Sequence, residues 1–233
     1  MKKSKSADYQ DLLKAIAIVV MIVDHIGLRF IPDMHWLRII GRFGISIWFF
    51  FAGYNYSRPK HLLLQLGLML SYLVYVMCGD STLNMLVTIY LGQCYLYLLE
   101  KFNKVSDKDT FIHCLFMLLL FPLTYIIFEY GTLTIAFMIA ARHQARGGNG
   151  ICFLPLLSIS TMLLTYLCFE GNFTNIEMAA AFFFIGIGSW ALCIRPPDMP
   201  ITVDVRIMSR HTLLIYFVHI SSFTIASMFM RFM

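Results

Sequence analysis

Long apolar runs separated by short polar turns dominate this chain. Apolar runs of about 20 residues are long enough to cross a bilayer as helices, and one run here is shorter. The predicted helices extend from about Asp11 to Phe30, Trp36 to Tyr56, His61 to Cys78, Leu83 to Leu99, Phe111 to Phe128, Thr132 to Ala141, Ile151 to Phe169, Ile176 to Ile194 and Arg210 to Met230. The pattern therefore predicts an all-α fold: a polytopic transmembrane helical bundle of about nine membrane segments, one of them short or broken. We expect residues 1–233 to form a single domain.

The short segment, Thr132 to Ala141, needs its own interpretation. Its ten residues rise only about 15 Å, half of a hydrocarbon core. Either Glu129 and Tyr130 are drawn into the membrane, or the segment is a broken or re-entrant helix, which is tolerated only where protein buries it or it lines a cavity. The basic, glycine-rich stretch from Arg142 to Gly150 is predicted to be a flexible loop.

Composition supports a membrane protein. The chain is 59% hydrophobic and 13% charged, with a mean hydropathy of +0.74, whereas soluble domains are typically about 25% charged. The first apolar run lacks a small-residue cleavage site behind it, so we interpret it as a retained helix and not as a signal peptide. None of the six cysteines forms a Cys-x-x-Cys pair or lies at metal-ligand spacing from a histidine, so we expect packing roles and no metal site.

The charged residues predict an orientation. With the N-terminus in the cytoplasm, the basic side chains fall in the inside connections. These are Arg58 and Lys60; Lys101, Lys104 and Lys108; Arg142 and Arg146; and Arg195, Arg206 and Arg210. The outside connections hold Asp80, Glu129 and Glu170, with Arg29, Arg38 and Arg231 as exceptions. Since the net charge of +5 lies in short loops, it indicates topology and not nucleic-acid binding.

Ionisable side chains within the first two predicted helices are the strongest sign of chemistry. Asp24 and His25 lie near the far end of the first helix, and Arg42 lies near the start of the second. Such groups are costly inside a membrane and usually mark a functional site. An aspartate beside a histidine can fix the imidazole tautomer and raise its basicity, as a general base requires. The alternative is a polar cluster that only joins two helices.

Two further stretches carry polar groups. Glu129, Tyr130 and Gly131 form a chain reversal on the same predicted side as Asp24, although an interfacial tyrosine in a turn would look the same. Tyr216 and His219 are three residues apart and share a helix face. A single histidine in a membrane helix can serve only as a hydrogen bond between helices.

Several short motifs occur together in this chain. In order they are Lys14-x-x-Ala17, Met21-x-x-Asp24-His25, Gly41-Arg42, Asn55-Tyr-Ser57-Arg58, Tyr130-Gly131 and Tyr216-x-x-His219. Together they resemble the TraX family, membrane enzymes that acetylate the N-terminus of conjugative pilin. The resemblance is densest in the first quarter of the chain.

The resemblance implies an acetyl-CoA-dependent acyltransferase of the bacterial inner membrane, with acetyl-CoA as co-substrate and a pilin-like protein as acceptor. His25 and Asp24 would act as the general base, and Arg42 would stabilise the oxyanion or hold a phosphate of CoA. Substrate and cofactor contacts are expected from Lys14, Asn55, Arg58, Tyr130, Tyr216 and His219. Three alternatives remain open: O-acetylation of a glycan or lipid, a proton-coupled transporter in which Asp24 and His25 form a relay, and a non-catalytic pilus-assembly factor.

The predicted orientation indicates how deep in the membrane His25 lies. It lies fourteen residues after Asp11, or about 21 Å along the helix axis, which is beyond the middle of a core of about 30 Å. We therefore expect acetyl-CoA to enter a tunnel from the cytoplasm and the acceptor to arrive laterally or from outside.

Overall fold

A computed structural model describes residues 8–56, 67, 85–102, 106–125, 127–128, 130–168, 174–194 and 205–232. Within this part of the chain the structure contains nine α-helices and no β-strand, which confirms the all-α prediction. The helices are α1 (Tyr9–Arg29), α2 (His35–Tyr54), α3 (Met85–Phe102), α4 (Asp107–Thr124), α5 (Leu133–Ala145), α6 (Leu154–Cys168), α7 (Asn175–Cys193), α8 (Arg206–Arg210) and α9 (Thr212–Phe232), with a 3₁₀ turn over Gly150–Phe153 before α6. The predicted span from His61 to Cys78 lies outside the described residues except for Gly67.

The number of membrane spans is not confirmed. Among the described residues, α2 and α7 are the helices that are both long enough and apolar enough to cross a bilayer. Helix α1 has 21 residues but carries four charged side chains, and α5 has 13 residues. The structure therefore supports a helical protein with two candidate spans, and the bundle of nine remains a prediction.

Helix boundaries differ from the predicted ones where local capping decides them. Helix α4 begins at Asp107, four residues before the predicted Phe111, because Ser106 and Asp109 form a reciprocal capping box. The predicted C-terminal helix, Arg210 to Met230, corresponds to α9, and a bend at His211 separates it from α8, which lies in the predicted connection. A capping pair such as Ser106 and Asp109 is visible in the sequence, so this start could have been predicted.

The prediction of a flexible loop from Arg142 to Gly150 is wrong. Helix α5 continues to Ala145, and the following turn is held by hydrogen bonds. The backbone N–H and the side-chain amide of Asn149 both donate to the Asp107 carboxylate, and the N–H of Ile151 donates to Gln144 Oε1 at 3.2 Å. These bonds use polar groups that the sequence pattern treats as solvated.

The described residues divide into two compact units. The first contains the described residues up to Trp48 and those after residue 172, and the second contains the residues from 49 to 171. The prediction of a single domain over residues 1–233 stays a prediction.

In the first unit α1 packs against α8 and α9. The Tyr9 hydroxyl donates to the Ala191 carbonyl of α7 at 3.0 Å, and the Ser209 hydroxyl of α8 donates to Asp11. Gly188 of α7 lies so close to α2 that a methyl group on it would be 2.2 Å from the Phe43 carbonyl oxygen. Small residues permit this kind of close helix contact, which is common between helices in membranes.

In the second unit α5 is the core. Every residue from Leu133 to Ala141 is buried, and α3, α4 and α6 pack around the helix. Thr132 Oγ1 donates to the Met117 carbonyl at 2.6 Å, which joins the start of α5 to α4. A helix that is apolar on all sides belongs inside protein, which accounts for a length of only about 20 Å. Of the two interpretations of the short segment, the structure thus favours one in which surrounding protein buries it.

Candidate functional site

Helix α1 presents His25 on its buried face. Asp8 caps the helix and forms a reciprocal capping box with Asp11, so the helix begins in a fixed register. Ile18, Met21 and His25 follow one another at spacings of three and four residues, and all three are buried. Since successive side chains on a helix are about 100° apart, Asp24 points to a different neighbour from His25.

The imidazole of His25 meets the imidazole of His219 on α9. Nδ1 of His25 lies 2.6 Å from Nε2 of His219, and both side chains are buried. The ring planes differ by 17° and the ring centroids are 4.9 Å apart. Because the centroids are much farther apart than the two nitrogens, the rings meet edge to edge, and the hydrogen bond lies close to both ring planes.

A backbone carbonyl fixes the other side of His219. Nδ1 of His219 donates to the Ile215 carbonyl one turn earlier on α9, at 3.0 Å. The Phe223 ring lies edge-on to His219 at 5.6 Å from the other direction. The orientation of His219 is therefore set by its own helix and by a residue four positions later.

Tyr216 and Trp48 complete an aromatic wall around the two imidazoles. The Tyr216 ring is edge-on to His219 at 5.6 Å and to His25 at 6.2 Å, and its side chain is only 2% exposed. The Trp48 ring lies 5.9 Å from Tyr216, and its indole N–H donates to the Ala17 carbonyl at 3.1 Å. Buried aromatic surface of this kind excludes water from the two histidines.

Asp24 lies where α1 meets α2, and its carboxylate is close to an arginine of α2. The residue that hydrogen-bonds to Nδ1 of His25 is His219, whereas the Asp24 carboxylate lies 3.9 Å from Nε of Arg38. A methyl group on Gly41 would be 2.4 Å from Cβ of Asp24, so α1 and α2 are closest at this point. Asp24 therefore lies at the α1–α2 contact, Nδ1 of His25 bonds to His219, and a role for Asp24 in the base stays a prediction.

Arg42 follows Gly41 and is 2% exposed. Together with Arg29 and Arg38, its guanidinium group lies within electrostatic range of the His25 imidazole. Arg38 is paired with the Asp24 carboxylate, so part of this positive charge is neutralised.

Lys14 lies on the same face of α1 as His25, three turns earlier. Eleven residues separate them, which corresponds to about 16 Å along the helix. The ammonium group is partly buried and interacts with the carboxylates of Asp11 and Asp8. A ligand that reached both Lys14 and His25 would therefore have to extend over about 16 Å.

Two other predicted site residues lie in the second unit. Tyr130 is buried against Phe49, with ring centroids 5.2 Å apart, and its φ of 59° is in the left-handed region. Gly131 follows with a φ of 45°, so the pair forms a tight reversal. Asn55 is exposed at the end of α2, and Arg58 lies outside the described residues.

The second unit contains a separate polar cluster at the C-terminal end of α5. Nε2 of His143 donates to Asp107, and this bond holds the pKa of the Asp107 carboxyl below its usual value, aided by the Asn149 backbone N–H. Arg142 Nε and Arg146 Nη2 both donate to Glu100 Oε1, at 2.6 and 2.7 Å. Cations in the last turn of a helix also interact favourably with its dipole, so capping explains this cluster well.

Sequence reasoning missed part of the first site. Trp48 and Phe223 carry no polar motif, and their contacts arise only when α2 and α9 pack. Arg38 is an exception to the charge pattern of the outside connections, and such an exception is a usable sign of a site residue. In the part of the chain that the structure describes, no group of three or more His, Cys, Asp or Glu side chains is arranged to hold a metal ion.

Fold and site together define a helical protein with two candidate membrane spans and a buried histidine pair. The family model described as TraX protein matches residues 9–227, and the chain belongs to the TraX family. It is 32% identical over 222 residues to the uncharacterized protein RP591 of Rickettsia prowazekii (strain Madrid E), covering 91% of this chain and 90% of that protein. It is also 33% identical over 57 residues to protein TraX of Escherichia coli, covering 24% of this chain and 23% of that protein. No solved structure matches this chain.

Proposed function

We propose that this protein is a membrane-embedded acetyltransferase that moves an acetyl group from acetyl-CoA to the N-terminal amine of a pilin-like protein. Membership of the TraX family supports the reaction class and the pilin-like acceptor. The observation that carries the proposal is the buried, hydrogen-bonded imidazole of His25, enclosed by aromatic side chains. Such a group can accept a proton in a site from which water is excluded.

The acceptor amine is an ammonium group at neutral pH and releases one proton to solvent before it attacks. A base is required for a second proton, which the nitrogen loses as the amide forms. The free amine nitrogen forms a bond to the thioester carbonyl carbon, and His25 removes a proton from that nitrogen. The carbon–sulfur bond then breaks, and the imidazolium returns the proton to the departing thiolate. The products are an amide and free CoA, and His25 is regenerated.

The positive charges around His25 suit the remaining steps. Arg42 is buried beside the pair and would stabilise the oxyanion of the tetrahedral intermediate. Lys14, about 16 Å away along α1, would hold an anionic group of the nucleotide end of CoA. Tyr130, Asn55 and Arg58 remain expected contacts of the acceptor or cofactor.

The proposed setting is a bacterial inner membrane, with the N-terminus in the cytoplasm and about nine segments in the bilayer. Large apolar side chains exposed in a stripe along α7 support a lipid-facing surface. Ile176, Phe183 and Trp190 recur every seven residues and are 74, 64 and 65% exposed. A contiguous apolar surface of this kind is unusual for a soluble protein.

The test is acetyl transfer by purified protein from labelled acetyl-CoA to a pilin N-terminal peptide. His25→Ala should lower kcat by about 10² to 10⁴, which is the usual contribution of a general base. His211→Ala is the matched control, because His211 is exposed at the bend before α9. A folded His25→Ala protein with full activity would refute the assignment.

The same assay separates the alternatives. Labelling of a glycan or lipid and not of the peptide would favour O-acetylation. Proton-coupled solute movement in vesicles without acetyl-CoA binding would favour a transporter, in which the histidine pair acts as a relay. Absence of both activities, with His25 dispensable for pilus assembly in cells, would favour a non-catalytic assembly factor.

A further inference from the structure

We infer that His219 is a positioning residue that holds His25 in the tautomer whose Nε2 atom is the proton acceptor. The inference rests on the proposed function, because it specifies which atom of the proposed base reacts. It also assigns to a residue 194 positions away the role that a neighbouring carboxylate has in other catalytic sites.

The hydrogen bonds determine the proton positions. A carbonyl oxygen can only accept, so the contact with Ile215 requires a proton on Nδ1 of His219. A neutral imidazole has one N–H, so Nε2 of His219 is then an acceptor. Nδ1 of His25 must therefore be the donor in the 2.6 Å contact, and the lone pair of His25 is left on Nε2.

This arrangement persists when His25 takes a proton. The imidazolium then has N–H groups on both nitrogens, and its Nδ1–H still donates to Nε2 of His219. That bond becomes charge-assisted and stronger, which stabilises the protonated state formed during the reaction. The proton later leaves from Nε2, so no proton has to pass through His219.

Packed aromatic side chains hold the His25 and His219 rings in this hydrogen-bonded orientation. Tyr216 lies edge-on to both imidazoles, and Phe223 lies edge-on to His219, so neither ring can rotate without displacing a packed aromatic side chain. Protonation of both rings would place like charges on adjacent nitrogens in a buried site, which is costly. The histidine pair can therefore hold at most one proton more than it holds in its neutral state.

The experiment compares two substitutions of His219. In His219→Gln the side-chain amide oxygen can occupy the position of Nε2 and accept from His25, whereas His219→Leu fills similar volume without an acceptor. Acetyl transfer is measured across pH for both, with His211→Gln as the control. The tautomer of His25 is read from ¹⁵N chemical shifts of histidine-labelled protein in lipid nanodiscs.

We expect His219→Leu to lower kcat by about 10² to 10⁴ with a small change in KM, because the wrong tautomer removes the base. His219→Gln should recover most of that loss and keep the protonated nitrogen of His25 at Nδ1. Equal activity of the two variants would overturn the inference, and so would a raised KM at unchanged kcat, which would indicate a substrate contact.

The spectroscopic result separates the inference from the proposed function. If the wild-type protein transfers no acetyl group, the acetyltransferase proposal fails. The ¹⁵N spectrum then still tests the pair: a His25 proton on Nδ1 supports the inference, and a proton on Nε2 overturns it. If His219→Leu does not fold, the wild-type and His219→Gln spectra give the same decision.

Discussion

Replacing Gly41 with alanine tests the close contact between α1 and α2 beside the histidine pair. The added methyl group would lie 2.4 Å from Cβ and 2.8 Å from Cγ of Asp24, whereas ordinary van der Waals contact begins at 3.4 Å. The two helices must therefore move apart locally by the difference, 1.0 Å. Cβ of Asp24 cannot move aside alone, because it is fixed to the backbone of α1.

The cost of this movement has two parts. Overpacking of a fitted contact costs about 1 to 3 kcal/mol, which for a chain of this size lowers Tm by about 2 to 12 °C at 2 to 4 °C per kcal/mol. A displacement of about 1 Å at a catalytic site can lower the rate by about 10²-fold. Gly41→Ala should therefore reduce the rate of acetyl transfer by more than the loss of folded protein explains.

The assay is thermal unfolding in detergent followed by tryptophan fluorescence, together with initial rates at a temperature where the variant is folded. Gly67→Ala is the matched control, because a methyl group on Gly67 would meet no atom of the described residues within 4 Å. If the two alanine variants unfold at the same temperature and transfer acetyl at the same rate, the helices are not as close as described and the reasoning is refuted.

Three further predictions follow from other contacts. The pKa of Asp107 is below its usual 3.8 in the folded protein, so its bond to His143 stabilises the α5 turn above that pH and is lost as pH falls through the lowered pKa. Asp107→Asn should thus reduce hydrogen-exchange protection of the Asn149 amide at pH 7 and not at acid pH; an equal effect at both would contradict this. Trp48→Phe removes the indole N–H that donates to the Ala17 carbonyl, which keeps its bond within α1, so it should cost about 0.5 to 1.5 kcal/mol in denaturant unfolding. An unchanged midpoint would show that the bond contributes nothing. In a cysteine-free background, an impermeant thiol reagent should label Asn175→Cys from outside and Lys108→Cys only after permeabilisation, and the reverse result would invert the predicted orientation.

The order of helices and the candidate residues could be read from the sequence. Runs of apolar residues determine where helices form, because a helix satisfies its own backbone groups wherever the surroundings are apolar. His25, His219 and Arg42 stand out because ionisable groups in such runs are costly. Even the first residue of α4 can be predicted from the sequence, since Ser106 and Asp109 form a local capping motif.

Only the tertiary structure decided which polar groups meet. The sequence suggests Asp24 as the partner of His25 because the two are adjacent, but neighbouring side chains on a helix point about 100° apart and do not face each other. The packing of α1 against α9 instead brings His219 to within 2.6 Å of His25, across 194 positions of sequence. A contact of that range depends on how helices pack, which no local pattern specifies. The same holds for α5: its residues are apolar on all sides, but only the packing shows which helices bury it.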